Sequence, residues 1–201
     1  MLKKTDMDRT SYRISISIFR AGLFFILFSY ACVNALQAAE NTSDIFGYRW
    51  TDNKYSEPTI VANWMDATET GNLIEFDKDE SQTVALGFDF NFYGNIYSTI
   101  TISSNGYLTF GSIGNIATNS SIPNPSEPNN IIAPFWDDLT CDWLYSDYQE
   151  VYYKTIGSEP NRKFVVEWYD SIVSNNSDSN ITFEVILEEQ TNRVVAQLVT
   201  P

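Results

Sequence analysis

Apolar and polar residues alternate with a period of two in several segments of this chain. Leu86, Phe88, Phe90 and Phe92 are separated by Gly87, Asp89 and Asn91. Successive side chains of a strand point to opposite faces, so such a segment buries its apolar set only as a half-buried strand. Ile100 and Ile102 alternate with Thr99, Thr101 and Ser103, and Tyr107-Leu108-Thr109-Phe110 follows Asn105-Gly106. An Asn-Gly pair between two such segments is a strong hairpin signal, because both residues tolerate positive φ. Phe164, Val166 and Trp168 alternate with Val165, Glu167 and Tyr169, and Ile181, Phe183, Val185 and Leu187 with Thr182, Glu184, Ile186 and Glu188. Val151–Ile156 and Val194–Val199 read as further strands. Gly94-Asn95, Gly157–Arg162, the proline-rich stretch Ile113–Asn130 and the polar stretch Ser171–Asn180 read as turns and loops. No helical window follows residue 40. Short strands separated by turn signals predict an all-β chain, one antiparallel β-sandwich of jelly-roll-like character.

The first forty residues follow another pattern. Lys3, Lys4, Arg9, Arg13 and Arg20 precede the apolar run Ala21–Val33, and small residues follow at Ala35, Ala38 and Ala39. Basic, apolar, then small is the layout of a secretory signal peptide, here predicted as a helix over residues 1–39 with cleavage after Ala35, Ala38 or Ala39. The run is short of the roughly 20 residues that a membrane span needs. Ser29-Tyr30-Ala31-Cys32 resembles a lipoprotein cleavage box only faintly. The expectation is a leader over 1–39 and a single domain over 40–201, secreted or at the cell surface, with no membrane span after cleavage. The chain ends at Pro201, where the strand Val194–Val199 finishes, and reads equally as a stand-alone domain or as a piece of a modular protein.

Charge and the missing histidine exclude much. With five of the 12 basic residues and two of the 26 acidic ones removed in the leader, the remainder carries a net −17. Such a surface repels phosphate backbones and argues against nucleic acid as a partner. The chain has no histidine, which removes the commonest general base and metal ligand and the usual Ser- and Cys-protease arrangements. No G-x-S-x-G and no phosphate-binding glycine loop is present. A hydrolase built on two carboxylates is the third and least favoured reading, since 24 acids outside the leader give no basis for choosing a pair. The expectation is a non-enzyme. Cys141 is the only cysteine after residue 39, so an internal disulfide is excluded there and a buried thiol beside Trp143 and Leu144 is expected.

The order of the motifs is more telling than any one of them. GFDFNFYGNIYSTITISSNGYLTFGS (Gly87–Ser112) is followed by IPNPSEPNNIIAPFWDDL (Ile122–Leu139), VYYKTIGSEPNRKFVVEWYD (Val151–Asp170) and ITFEVILEE (Ile181–Glu189). Over residues 84–199 this resembles the nidogen-like extracellular domain, in the version found in bacterial exported and surface proteins. Gly47-Tyr48 through Trp64-Met65-Asp66 resembles its lead-in. The resemblance implies a β-sandwich, an association with cell–matrix adhesion, an extracellular or cell-surface protein partner, and no catalytic residues. Oligomeric state is left open.

Two candidate sites follow from residue chemistry. Trp143, Tyr145 and Tyr148 lie in a polar loop, where flat apolar faces with a polar edge suit protein or carbohydrate contacts. Trp136 and Trp168, on apolar strand faces, are expected in the core. A carbohydrate-binding module is therefore the second functional reading. Asp137, Asp138 and Asp142 are hard oxygen ligands of the kind Ca2+ takes, although no spaced calcium loop is present and solvating a loop is the favoured role. Ca2+ is the one cofactor the sequence leaves open. Asp77-Lys78-Asp79-Glu80 is a weaker acidic candidate and reads as an exposed turn. Asn41, Asn119, Asn175 and Asn180 match the glycosylation acceptor pattern, read as chance matches in Asn/Ser-rich loops.

Overall fold

A computed structural model describes residues 44–49, 63–111, 114–141, 148–174 and 176–199. The predicted leader with Cys32 and the candidates Asp142, Trp143 and Tyr145 lie outside the described residues. The chain divides into two units, one up to Thr51 and one from Asp52. Within the first, the Asp44 carboxylate accepts hydrogen bonds from the amides of Phe46 and Tyr48, each at 2.9 Å, closing a local turn.

The second unit is all β. Ten strands are described: β1 (Asn72–Phe76), β2 (Ser81–Phe92), β3 (Asn95–Ser103), β4 (Leu108–Thr109), β5 (Ile131–Ile132), β6 (Leu139–Thr140), β7 (Gln149–Ile156), β8 (Lys163–Val173), β9 (Asn176–Glu188) and β10 (Arg193–Val199). One sheet has the order β1-β7-β8-β9-β10, with β6 also on β8, and the other the order β2-β3-β4-β5. All pairs are antiparallel. The predicted antiparallel sandwich is thus the fold. Its jelly-roll likeness is confined to β1, which leaves its chain neighbour to join β7; most other strands run as two meanders. Among the described residues no helix is long and apolar enough to cross a membrane.

The alternating residues fill the space between the sheets. Leu86, Phe88, Phe90 and Phe92 from β2 are buried, as are Ile100 and Ile102, Phe164, Val166 and Trp168, and Phe183, Val185 and Leu187. Trp168 stacks on Phe183 with ring centres 4.8 Å apart and donates its indole N–H to the Ser103 carbonyl of the other sheet at 2.8 Å. Trp136 is buried too, although in the irregular segment between β5 and β6 rather than on a strand face. The β2–β3 hairpin closes through Tyr93-Gly94, with φ of 48° and 81°. Positive φ at both residues of a two-residue loop gives the twist that antiparallel strands require. Midway, the β2–β3 register slips between Ala85 and Phe90. There the Leu86 carbonyl accepts from the Thr155 hydroxyl at 2.8 Å and the Gly87 carbonyl from Arg162 at 2.6 Å. A β7 side chain and one from the turn just before β8 so occupy backbone groups that the slip leaves unpaired.

One expectation is corrected. Ser171–Asn180 is not a loop, because β8 and β9 continue through it with Ser171 opposite Ile181 and Ile172 opposite Asn180. Polarity misleads here because ladder bonds are made by backbone groups. The buried Ser171 hydroxyl is also partnered by the Gln149 amide at 3.1 Å.

Candidate functional site

The turn Ser103–Gly106 does more than reverse the chain. Ser103, Ser104 and Asn105 are fully buried, and a buried polar turn must have its groups satisfied. The Ser103 amide donates to the Tyr107 carbonyl at 3.0 Å and the Ser104 amide to the Glu80 carbonyl at 2.9 Å. The Asn105 side chain donates to Asp79 Oδ1 at 3.1 Å and accepts from the Leu139 amide at 3.3 Å. The Asn105 carbonyl accepts from the Asp137 amide at 3.3 Å. Asn105 therefore ties together the turn after β1, the β3–β4 turn and the segment entering β6.

Both described aspartates of the predicted acidic site sit on this junction. Asp137 Oδ1 accepts from the Asp138 amide at 2.8 Å. Asp138 Oδ2 pairs with Lys78 at 3.3 Å, while its Oδ1 is buried with no hydrogen-bond partner among the described residues. The turn Asp77–Glu80 is present as expected, and Glu75, Asp79, Glu80 and Asn115 border an open, polar groove of about 400 Å3. Among the described residues no group of three Asp, Glu, His or Cys side chains is placed to hold a metal. Cys141 is buried. Tyr148 lies at the entry to β7 and is 45% exposed, the one described member of the predicted aromatic surface.

A second polar constellation was not anticipated. The outer face of the larger sheet carries a transverse row, Leu73–Tyr152–Glu167–Glu184–Gln197, in which each residue is paired with the next across β1, β7, β8, β9 and β10. Glu167 and Glu184 read as solvent-facing in the alternation, yet both are buried. The cover is the segment Asn63–Gly71, which crosses this face. Its Met65 amide donates to both oxygens of Glu184, at 3.1 and 3.2 Å, and its Ala67 amide to Glu167 at 2.7 Å. Gln197 exchanges hydrogen bonds with the Asn63 backbone and donates to Glu184 at 2.6 Å. Ala67 packs on Val165 and Ile186, with Met65, Tyr152, Ile156 and Val195 around them. The signal in the sequence was the mixed face itself, since Val165 and Ile186 flank the glutamates on what would otherwise be a wet side.

Burial pushes the Glu184 carboxyl up to about 7, against the lowering effect of the Met65 amide, and the neighbouring Glu167 charge adds to the rise. Burial raises Glu167 as well. On the rim the balance reverses. Hydrogen bonds from Arg162 hold Glu189 below its usual value. Glu188 is raised by burial but held low overall by Lys163, Thr191 and Arg193.

The sign of the pH dependence follows. A carboxyl whose pKa rises on folding stabilises the fold fully below its unfolded value, and the contribution is lost as pH climbs through the folded value. For Glu184 the window runs from the ordinary 4.5 to about 7. Glu188 and Glu189 contribute above their ordinary value and lose that contribution as pH falls below it. Stability is therefore expected to peak near pH 5. Urea midpoints at pH 5 and pH 8 check this: the midpoint should be lower at pH 8, and a midpoint that rises from pH 5 to 8 contradicts it.

A family model described as NIDO related matches residues 40–198, a span that includes the segment Asn63–Gly71, both sheets and the Asn105 junction. No curated protein and no solved structure matches the chain. With most of its length inside that match and the all-β sandwich in place, the chain belongs to the NIDO-related family.

Proposed function

We propose that the chain is an exported, non-catalytic β-sandwich domain that mediates adhesion to the cell surface or matrix by contacting another protein. The observation that carries this reading is the family match over residues 40–198. The basic, apolar, small-residue leader and the acidic remainder support an extracellular setting. The contact surface is the segment bearing Trp143, Tyr145 and Tyr148, because rigid aromatic faces supply contact area with few rotatable bonds to order.

Solid-phase binding of the folded chain to matrix proteins, to cell-surface proteins and to polysaccharides tests the reading. Saturable binding to a protein is expected, and a Trp143→Ala, Tyr148→Ala double variant should weaken it by about tenfold or more. No binding by folded chain overturns the reading, and binding confined to polysaccharides replaces it with a carbohydrate-binding module. Chelation should leave binding unchanged if Asp137, Asp138 and Asp142 serve to solvate the loop; loss of binding that Ca2+ restores assigns them to a cation.

A further inference from the structure

We propose that the segment Asn63–Gly71 is a strap that detaches from the outer face of the larger sheet, and that the opposed carboxylates of Glu167 and Glu184 are the proton-operated latch that holds it there.

The two glutamates are direct cross-strand partners on β8 and β9, and both are fully covered. Like charges opposite one another on a sheet repel, and cover removes the water that would screen them. Among the described residues neither forms an ion pair with a lysine or arginine. Their donors are neutral: the Met65 and Ala67 amides and the Trp64 side chain of the strap, and the Gln197 side chain. Other charged and titratable groups face the pair from around it. Lys154 on β7 attracts both carboxylates, but its ammonium is bonded to the Asp66 carbonyl and the Thr70 hydroxyl of the strap. Asp66, also on the strap, adds negative charge toward Glu167. Tyr152 is bonded to Glu150 at 2.8 Å and feels the Glu167 charge. Retaining one proton on the pair leaves a single negative charge, which those neutral donors can satisfy. Releasing it places two charges under one cover.

The strap is held by polar contacts more than by apolar ones. Ala67 is its one fully buried apolar side chain, with Trp64 and Met65 half-buried. Segments held by few apolar contacts open locally, below the free energy of global unfolding. Opening lets water reach both carboxylates, which then ionise and release the retained proton to solvent. Opening is therefore favoured as pH rises, and it uncovers the apolar strip of Val165 and Ile186.

Amide hydrogen exchange in the intact chain, corrected for the intrinsic pH dependence of exchange, reads the latch directly. The Met65 and Ala67 amides should be less protected than those of Ile100 and Ile102 on β3 at every pH. Their protection should fall by up to about tenfold per pH unit between pH 5 and 7, the slope for one proton released on opening. Glu184→Gln keeps an acceptor oxygen but cannot titrate, and should flatten that slope; Glu167→Gln should flatten it in part. Strap amides as protected as those of β3, protection independent of pH in the unsubstituted chain, or an unchanged slope in Glu184→Gln would each overturn the proposal.

Discussion

Trp168→Ala is expected to destabilise the domain by about 3–5 kcal/mol, the range for removing a large aromatic from a packed core. For a chain of this size that lowers Tm by roughly 10 °C or more. The side chain is wholly buried and lies face to face with Phe183, with 9° between the rings. Deleting it removes apolar area and leaves a cavity between the sheets. It also removes the donor to Ser103 O. That carbonyl belongs to a buried residue at the start of the Asn105 junction, so leaving it unpartnered costs a further 1–3 kcal/mol or so. Trp168→Phe separates the two contributions, because it retains most of the ring contact and loses the N–H. The order of thermal midpoints should be Trp, then Phe, then Ala, with the larger step to Ala. A Trp168→Ala protein that melts within about 3 °C of the unsubstituted one would show that the stack does not carry the inter-sheet core.

The framework was legible in the sequence because burial on one face and exposure on the other leaves a period-two record. Phe88, Phe90, Val166, Phe183 and Val185 all lie where that record puts them. Asn105-Gly106 marked a reversal for the same local reason. What the sequence could not show is what happens where a second layer covers a strand. Glu167 and Glu184 occupy the polar phase of their strands, and only the path of Asn63–Gly71 across the sheet makes that phase an interior. The burial of Ser103, Ser104 and Asn105 likewise depends on partners at Asp79, Asp137 and Leu139, which no local pattern brings together. Ser171–Asn180 failed in the opposite sense, since its composition is that of a loop while its backbone completes a ladder. Of the candidate site residues, Asp137 and Asp138 do meet, as consecutive members of that junction, and Tyr148 lies at the entry to β7, 45% exposed.

The junction itself gives the other large effect, Gly106→Ala. Gly106 has φ of 76°, a conformation that costs an L-residue about 1–2 kcal/mol. That cost alone would be modest. A Cβ at this position, however, would lie 2.0 Å from the Phe135 carbonyl oxygen and 2.9 Å from Leu139 Cδ1. A side chain could rotate away, but a main-chain carbonyl can yield only if its segment moves. The residues just beyond it hold the junction together, through the Asp137 amide on the Asn105 carbonyl and the Leu139 amide on the Asn105 side chain. Displacing them breaks bonds inside the fold, where unmet donors are expensive. Clash, strain and lost bonds together should exceed about 3 kcal/mol, in the tail of single-substitution effects. Gly94→Ala is the matched control. Gly94 has φ of 81° at an exposed hairpin tip, so its substitution should cost little more than the backbone strain. Urea midpoints for the two variants should therefore differ widely, with Gly106→Ala far the lower. Equal midpoints would mean that the Phe135–Leu139 segment moves freely, and that Asn105 does not fix the acidic pair Asp137-Asp138 in place.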